Sequence, residues 1–117
     1  MWTENPIFRE DLDRLTSYDY IPWDDLRDST VFITGATGLI GYTAVCALLR
    51  YDQLHDAGIK VVALVRDVGR AEAKFSRQIA DGCDITFIRG SVEYLPEIVG
   101  KIDYIIHGAC PTSSQYF

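Results

Sequence analysis

Apolar positions change their rhythm repeatedly along the chain. From Thr30 onward, short continuous apolar runs alternate with longer stretches in which apolar residues recur every three or four positions. The runs are "TVFIT" at 30–34, "IKVVALV" at 59–65, "DITFIRG" at 84–90 and "IDYIIHGA" at 102–109. Continuous runs of strand-forming residues are what strands buried on both faces require. Between them, "LIGYTAVCALLRYDQLHDAG" predicts a helix ending near Gly58, with Leu39, Ile40, Ala44, Leu48 and Leu49 on one stripe. "GRAEAKFSRQIADG" predicts a second helix offering Ala73, Phe75, Ile79 and Ala80 to the core, and "SVEYLPEIVGK" a short helical region interrupted by Pro96.

This alternation predicts an α/β fold: a doubly wound parallel sheet of about four strands with helices on both faces. Right-handed crossovers give the strand order 3-2-1-4, the first half of a Rossmann fold plus one strand beyond its switch point. Residues 1–29 differ, being acidic, aromatic and punctuated by Pro6 and Pro22. Phe8, Leu12 and Leu15 recur as on an amphipathic helix opened by Asn5-Pro6, and Ile21, Trp23 and Leu26 are apolar anchors in the connector that follows. The expected division is an N-terminal extension, 1–29, and a dinucleotide-fold portion, 30–117.

Composition narrows the function classes. The 117 residues carry a formal net charge of −6, without the basic stripe that nucleic acid demands. Cys46, Cys83 and Cys110 are widely spaced and odd in number, so neither a metal site nor a disulfide framework is expected. The chain has no apolar run long enough to cross a membrane, and its acidic start is unlike a targeting peptide. A cytoplasmic protein without membrane or nucleic-acid partners is the expectation.

The chemistry concentrates in "TGATGLIG", where Gly35, Gly38 and Gly41 recur every third residue between the first strand and its helix. Gly35 allows a tight turn out of the strand, Gly38 allows backbone to approach a pyrophosphate, and Gly41 allows close packing of helix on sheet. The helix N-terminus then directs amide hydrogens at the phosphates. No Gly-Lys-Ser/Thr follows, so this is not a P-loop. The context of strand, glycines and apolar helix marks a dinucleotide site.

These residues resemble the signature of the extended short-chain dehydrogenases/reductases, the NAD(P)-dependent nucleotide-sugar epimerases and dehydratases. "VVALVRD", "FIRGS" and "DYIIHGACPTSS" are similar to that family's second, third and fourth strand ends, and "HGACPTSSQYF" is similar to the corresponding loop of UDP-glucuronate decarboxylases. The resemblance covers residues 30–117. It implies a cofactor held by Gly35, Thr37, Gly38, Leu39, Ile40, Gly41, Arg66, Gly90, Ser91 and Ala109.

An acidic residue ending the second strand would favour NAD, but Val65 stands there and Arg66 follows. Arg66, assisted by Arg70, suits a 2′-phosphate, so NADP is favoured over NAD; Asp67 is placed to reach a ribose hydroxyl. Ser91 replaces the family's usual aspartate.

The family's catalytic Tyr-x-x-x-Lys pair is missing: none of Tyr18, Tyr20, Tyr42, Tyr51, Tyr94 and Tyr104 has a lysine four residues on. Ser113 and Ser114 come one strand-helix unit too early for the catalytic hydroxyl, and His107 reads as a packed structural residue. No catalytic residue is assigned. The expectation is a cofactor-binding portion cut off before its catalytic part, with a sugar nucleotide bound only in a longer chain. A non-catalytic dinucleotide-binding or sensor module is the alternative. The apolar "YIIHG" edge predicts self-association.

Overall fold

The computed structural model describes residues 3, 5–17, 22–91 and 100–108. Helix α1 (Pro6–Thr16) is followed by a 3-10 turn (Trp23–Leu26), strand β1 (Thr30–Thr34), helix α2 (Leu39–His55) and strand β2 (Lys60–Val65). Two short helices, α3 (Val68–Lys74) and α4 (Ser76–Ala80), lead to β3 (Ile85–Arg89), and β4 (Tyr104–His107) comes last. The four strands are all parallel, in the order β3-β2-β1-β4. This is a partial Rossmann-like α/β fold, as the alternating periodicity predicts.

Local chemistry sets the element ends. Asn5 opens α1, its Oδ1 accepting from the amides of Ile7 and Phe8 at 3.0 and 3.2 Å, with Pro6 in the first turn. Helix α2 stops at His55, short of Gly58, because Asp56 takes a left-handed conformation with φ of 48°.

The helix expected over residues 69–82 is instead two. Phe75 leaves helical geometry between them and buries its ring against Tyr42 and Phe87, at centroid distances of 5.0 and 5.8 Å. Phe75 and Gln78 therefore point inward, whereas Ala73, Ile79 and Ala80 are exposed, contrary to the expected stripe. The break is one of dihedral angle: the Phe75 amide still donates to the Ala71 carbonyl at 3.0 Å and its carbonyl accepts from the Ile79 amide at 2.9 Å, so the ring is buried with those bonds kept.

Val31 and Ile33 of β1 and Val61, Ala63 and Val65 of β2 form one core with Val45, Cys46 and Leu49 of α2. Phe32 and Leu64, which alternate with these residues, are also buried, so the central strands are covered on both faces. Helices α2, α3 and α4 lie together on the first face, as right-handed crossovers running in one direction require. The expected helical region around Pro96 falls in residues 92–99, outside the described residues.

The N-terminal segment joins the same core. Leu12 is fully buried, and Trp23 stacks on Tyr51 of α2 at 4.8 Å while its Nε1 donates to the carbonyl of Leu15 at 3.2 Å. Arg50 of α2, largely buried, pairs with Asp13 of α1 at 2.9 Å.

Candidate functional site

A cleft of about 520 Å³ opens over the C-terminal ends of β1, β2 and β3. Open parallel sheets bind ligands in this place, because diverging loops leave a crevice there. The β1–α2 loop contributes Gly35, Ala36 and Thr37; the end of β2 contributes Leu64, Val65, Arg66 and Asp67. Arg70 and Lys74 of α3 form the far rim, and Gly90 and Ser91 close it beyond β3.

The glycines of the loop serve three different needs. Gly35 has φ of 72°, a conformation side-chain-bearing residues rarely adopt, and it turns the chain out of β1. A Cβ on Gly41 would lie 1.9 Å from the carbonyl oxygen of Gly35, so this glycine is required by the fold. Its close contact is with the loop backbone rather than with the sheet expected from sequence. Gly38 is different: its φ is −77°, and a Cβ there would meet only the Gly35 oxygen, at an ordinary 3.4 Å. The fold does not need glycine at position 38.

Gly38 also begins α2 without capping it. No side chain caps that helix end, and the first-turn amides have no acceptor inside the helix. These amides and the positive end of the helix dipole stand beside the loop that walls the cleft.

Charge around the cleft runs against the acidity of the chain. Arg66, Arg70 and Lys74 line it, and the carboxylate among its walls, Asp67, caps α3 by accepting the Arg70 amide at 3.0 Å. Lys74 reaches back across the cleft, donating from Nζ to the Thr37 carbonyl at 2.8 Å. Its ammonium also lies 5.0 Å from the centre of the Tyr42 ring.

Of the sequence-derived candidates, Gly35, Thr37, Arg66, Gly90 and Ser91 line this cleft. Gly38 precedes α2 in the adjoining turn, and Gly41 lies in the first turn of α2. Leu39 and Ile40 do not line it: their side chains are 85% and 81% exposed, not part of a core stripe, and they wall a separate apolar groove of about 450 Å³. Ala109 lies outside the described residues, as do Ser113 and Ser114.

Two contributors escape a motif-based reading. Lys74 is one of several surface-helix cations in sequence, and only folding brings it to the loop. Gly108 packs beneath the loop, where a Cβ would come within 2.8 Å of the Thr34 oxygen. The glycine after "YIIH" was a legible signal for such an approach.

His107 is exposed at the end of β4, not packed as expected from sequence, and its Nδ1 lies 2.7 Å from Thr34 Oγ1 across the β1–β4 pair. Beneath α2, Gln78 Nε2 donates to Tyr42 Oη at 3.1 Å and contacts Cys46 Sγ at 3.6 Å. Burial pushes the Cys46 thiol up to about 11 and raises Tyr42 above its ordinary value, so neither is primed to ionise. Among the described residues no cluster of three or more His, Cys, Asp or Glu side chains could hold a metal, and no helix is long and apolar enough to cross a membrane.

No protein-family model and no curated protein sequence matches this chain.

Proposed function

We propose that the cleft holds a nicotinamide dinucleotide, NADP in preference to NAD. In this reading the chain is the cofactor-binding part of an NAD(P)-dependent sugar-nucleotide epimerase, dehydratase or decarboxylase of the extended short-chain dehydrogenase/reductase type. The observation that carries it is Gly38. Its backbone is ordinary and the fold does not require glycine there, so the missing side chain leaves the loop backbone open to approach from outside. A pyrophosphate set on the uncapped start of α2 would use that opening.

Residues present suit the rest of such a ligand. Arg66 and Arg70 sit at the end of β2 and the start of α3, where a ribose 2′-phosphate would be paired by guanidinium groups. Val65 stands where an acidic side chain would favour NAD. The cofactor, when bound, supplies hydride transfer. The chain's own residues bind and orient it. No Tyr-x-x-x-Lys pair occurs in the 117 residues, so turnover of a sugar nucleotide is proposed only for a longer chain.

Calorimetric titration with NADP⁺ and, separately, NAD⁺ tests this. Saturable binding is expected, tighter for NADP⁺, and Gly38→Val is expected to abolish it while the circular dichroism spectrum stays unchanged. Full affinity in that variant would sink the glycine argument.

The β4 edge favours a second reading, a non-catalytic dinucleotide-binding module that self-associates. Ile105 is 70% exposed and Tyr104 41% exposed on this strand. Light scattering at high concentration decides it; a monomer removes the self-association.

A further inference from the structure

We infer that Lys74 is a positioning residue for the glycine-rich loop, fixing the peptide between Thr37 and Gly38 so that the loop presents one geometry to a pyrophosphate. The inference rests on the dinucleotide reading of the cleft, and it assigns Lys74 a role distinct from that of Arg66 and Arg70.

The carbonyl of Thr37 and the amide of Gly38 belong to one trans peptide, so they face opposite ways. Both ends are held. The Gly38 amide donates inward to the Gly35 carbonyl at 3.1 Å, and the Thr37 carbonyl accepts outward from Lys74 Nζ at 2.8 Å. Gly38 lacks a Cβ, and the absence that leaves room for a ligand also lowers the cost of rotating this peptide. A rotated peptide would turn the Thr37 carbonyl inward onto that of Gly35, breaking the hydrogen bond that holds the turn and reshaping the loop on which the pyrophosphate rests. The charged hydrogen bond from Lys74 opposes that rotation.

Lys74 is itself located by the core. Its ammonium rests over Tyr42, which packs on the buried Phe75 and accepts from Gln78. Phe75 follows Lys74 directly, at the break between α3 and α4, and Gln78 lies in the α4 turn just beyond, so this break helps set where the lysine points. The contact therefore ties the loop to the second strand-helix unit across the cleft.

This role predicts equal service to both cofactors. The pyrophosphate is common to NADP and NAD, whereas the 2′-phosphate belongs to one. Titrations of wild-type and Lys74→Met chains with NADP⁺, NAD⁺ and adenosine 2′-monophosphate separate the two roles, the last probe having no pyrophosphate. The expected result is a loss of about tenfold for both dinucleotides, the scale of one charge-assisted hydrogen bond. Affinity for adenosine 2′-monophosphate should not change, and Lys74→Arg should restore most of the lost affinity. A loss confined to NADP⁺ and adenosine 2′-monophosphate would overturn the inference, making Lys74 a reader of the phosphomonoester. Unchanged affinity for all three would overturn it too. A wild-type chain that binds neither dinucleotide removes the reading of the cleft itself.

Discussion

On one side of the first turn of α2 lies the cleft of about 520 Å³, walled by loop backbone and by Arg66, Arg70 and Lys74. On the other lies the groove of about 450 Å³, walled by Leu15, Trp23, Leu26, Leu39 and Ile40. The two hollows share a helix end and differ because a helix offers two chemistries there. Its backbone amides point along the axis toward the loop, while its side chains splay outward. Leu39 and Ile40 thus stand beside the cleft through their main chains and in the groove through their side chains. A motif written in side-chain letters merges the two, and geometry separates them.

The sharpest way to break this comparison is at Gly41. Gly41→Ala forces a Cβ against the Gly35 carbonyl, and the expected destabilisation is about 3 kcal/mol or more, measured by urea unfolding. Gly38→Val should act in the opposite sense, leaving the unfolding midpoint nearly in place while removing dinucleotide binding. If both glycines cost the same stability, the distinction between a fold glycine and a ligand glycine collapses.

Smaller effects sharpen it. Asp67→Ala removes the cap of α3 and should cost about 1 kcal/mol. It should also weaken binding, because Arg70 and Lys74 ride on that helix; a stability loss with unchanged affinity would detach the rim from the site. Leu39→Ser with Ile40→Ser changes exposed groove residues, so stability should stay within about 0.5 kcal/mol and dinucleotide affinity should hold. A marked loss of affinity there would mean that the two hollows act as one.

The pH dependence isolates a carboxylate that lines neither hollow. The Asp103 carboxylate accepts from the Thr30 amide at 2.8 Å and pairs with Lys101 at 3.2 Å, which together lower its pKa from the ordinary 3.8. Its contribution is therefore present above pH 3.8 and fades as pH falls through the lowered value. Acid unfolding curves of wild type and Asp103→Asn should differ above that range and converge below it. Parallel curves throughout would show that the carboxylate is not linked to folding.

Periodicity made the strands and their order legible, because a buried parallel strand must be continuously apolar and crossover handedness leaves few topologies. Gly35 and the start of α2 were legible for the same reason: a strand-to-helix turn places steric demands at fixed spacing. The split between α3 and α4 was not, since Ala73, Ile79 and Ala80 suit a helix face as well as Phe75 does. What decides is the space between Tyr42 and Phe87, two residues distant in sequence that one ring bridges. Lys74 was hidden for a related reason, its partner being a backbone carbonyl, which leaves no trace in the identity of Thr37.

Trp23 stands at the boundary of these regions, stacked on Tyr51, bonded to the Leu15 carbonyl and forming a wall of the groove but not of the cleft. The chain has two tryptophans, so replacing Trp2 by Phe leaves Trp23 as its single indole emitter. Its emission then becomes an optical address: a molecule entering the groove changes it directly, and release of the N-terminal segment from α2 shifts it toward the red. A dinucleotide entering the cleft leaves it dark to the event, so calorimetric heat without an optical change locates a ligand on the charged side of α2.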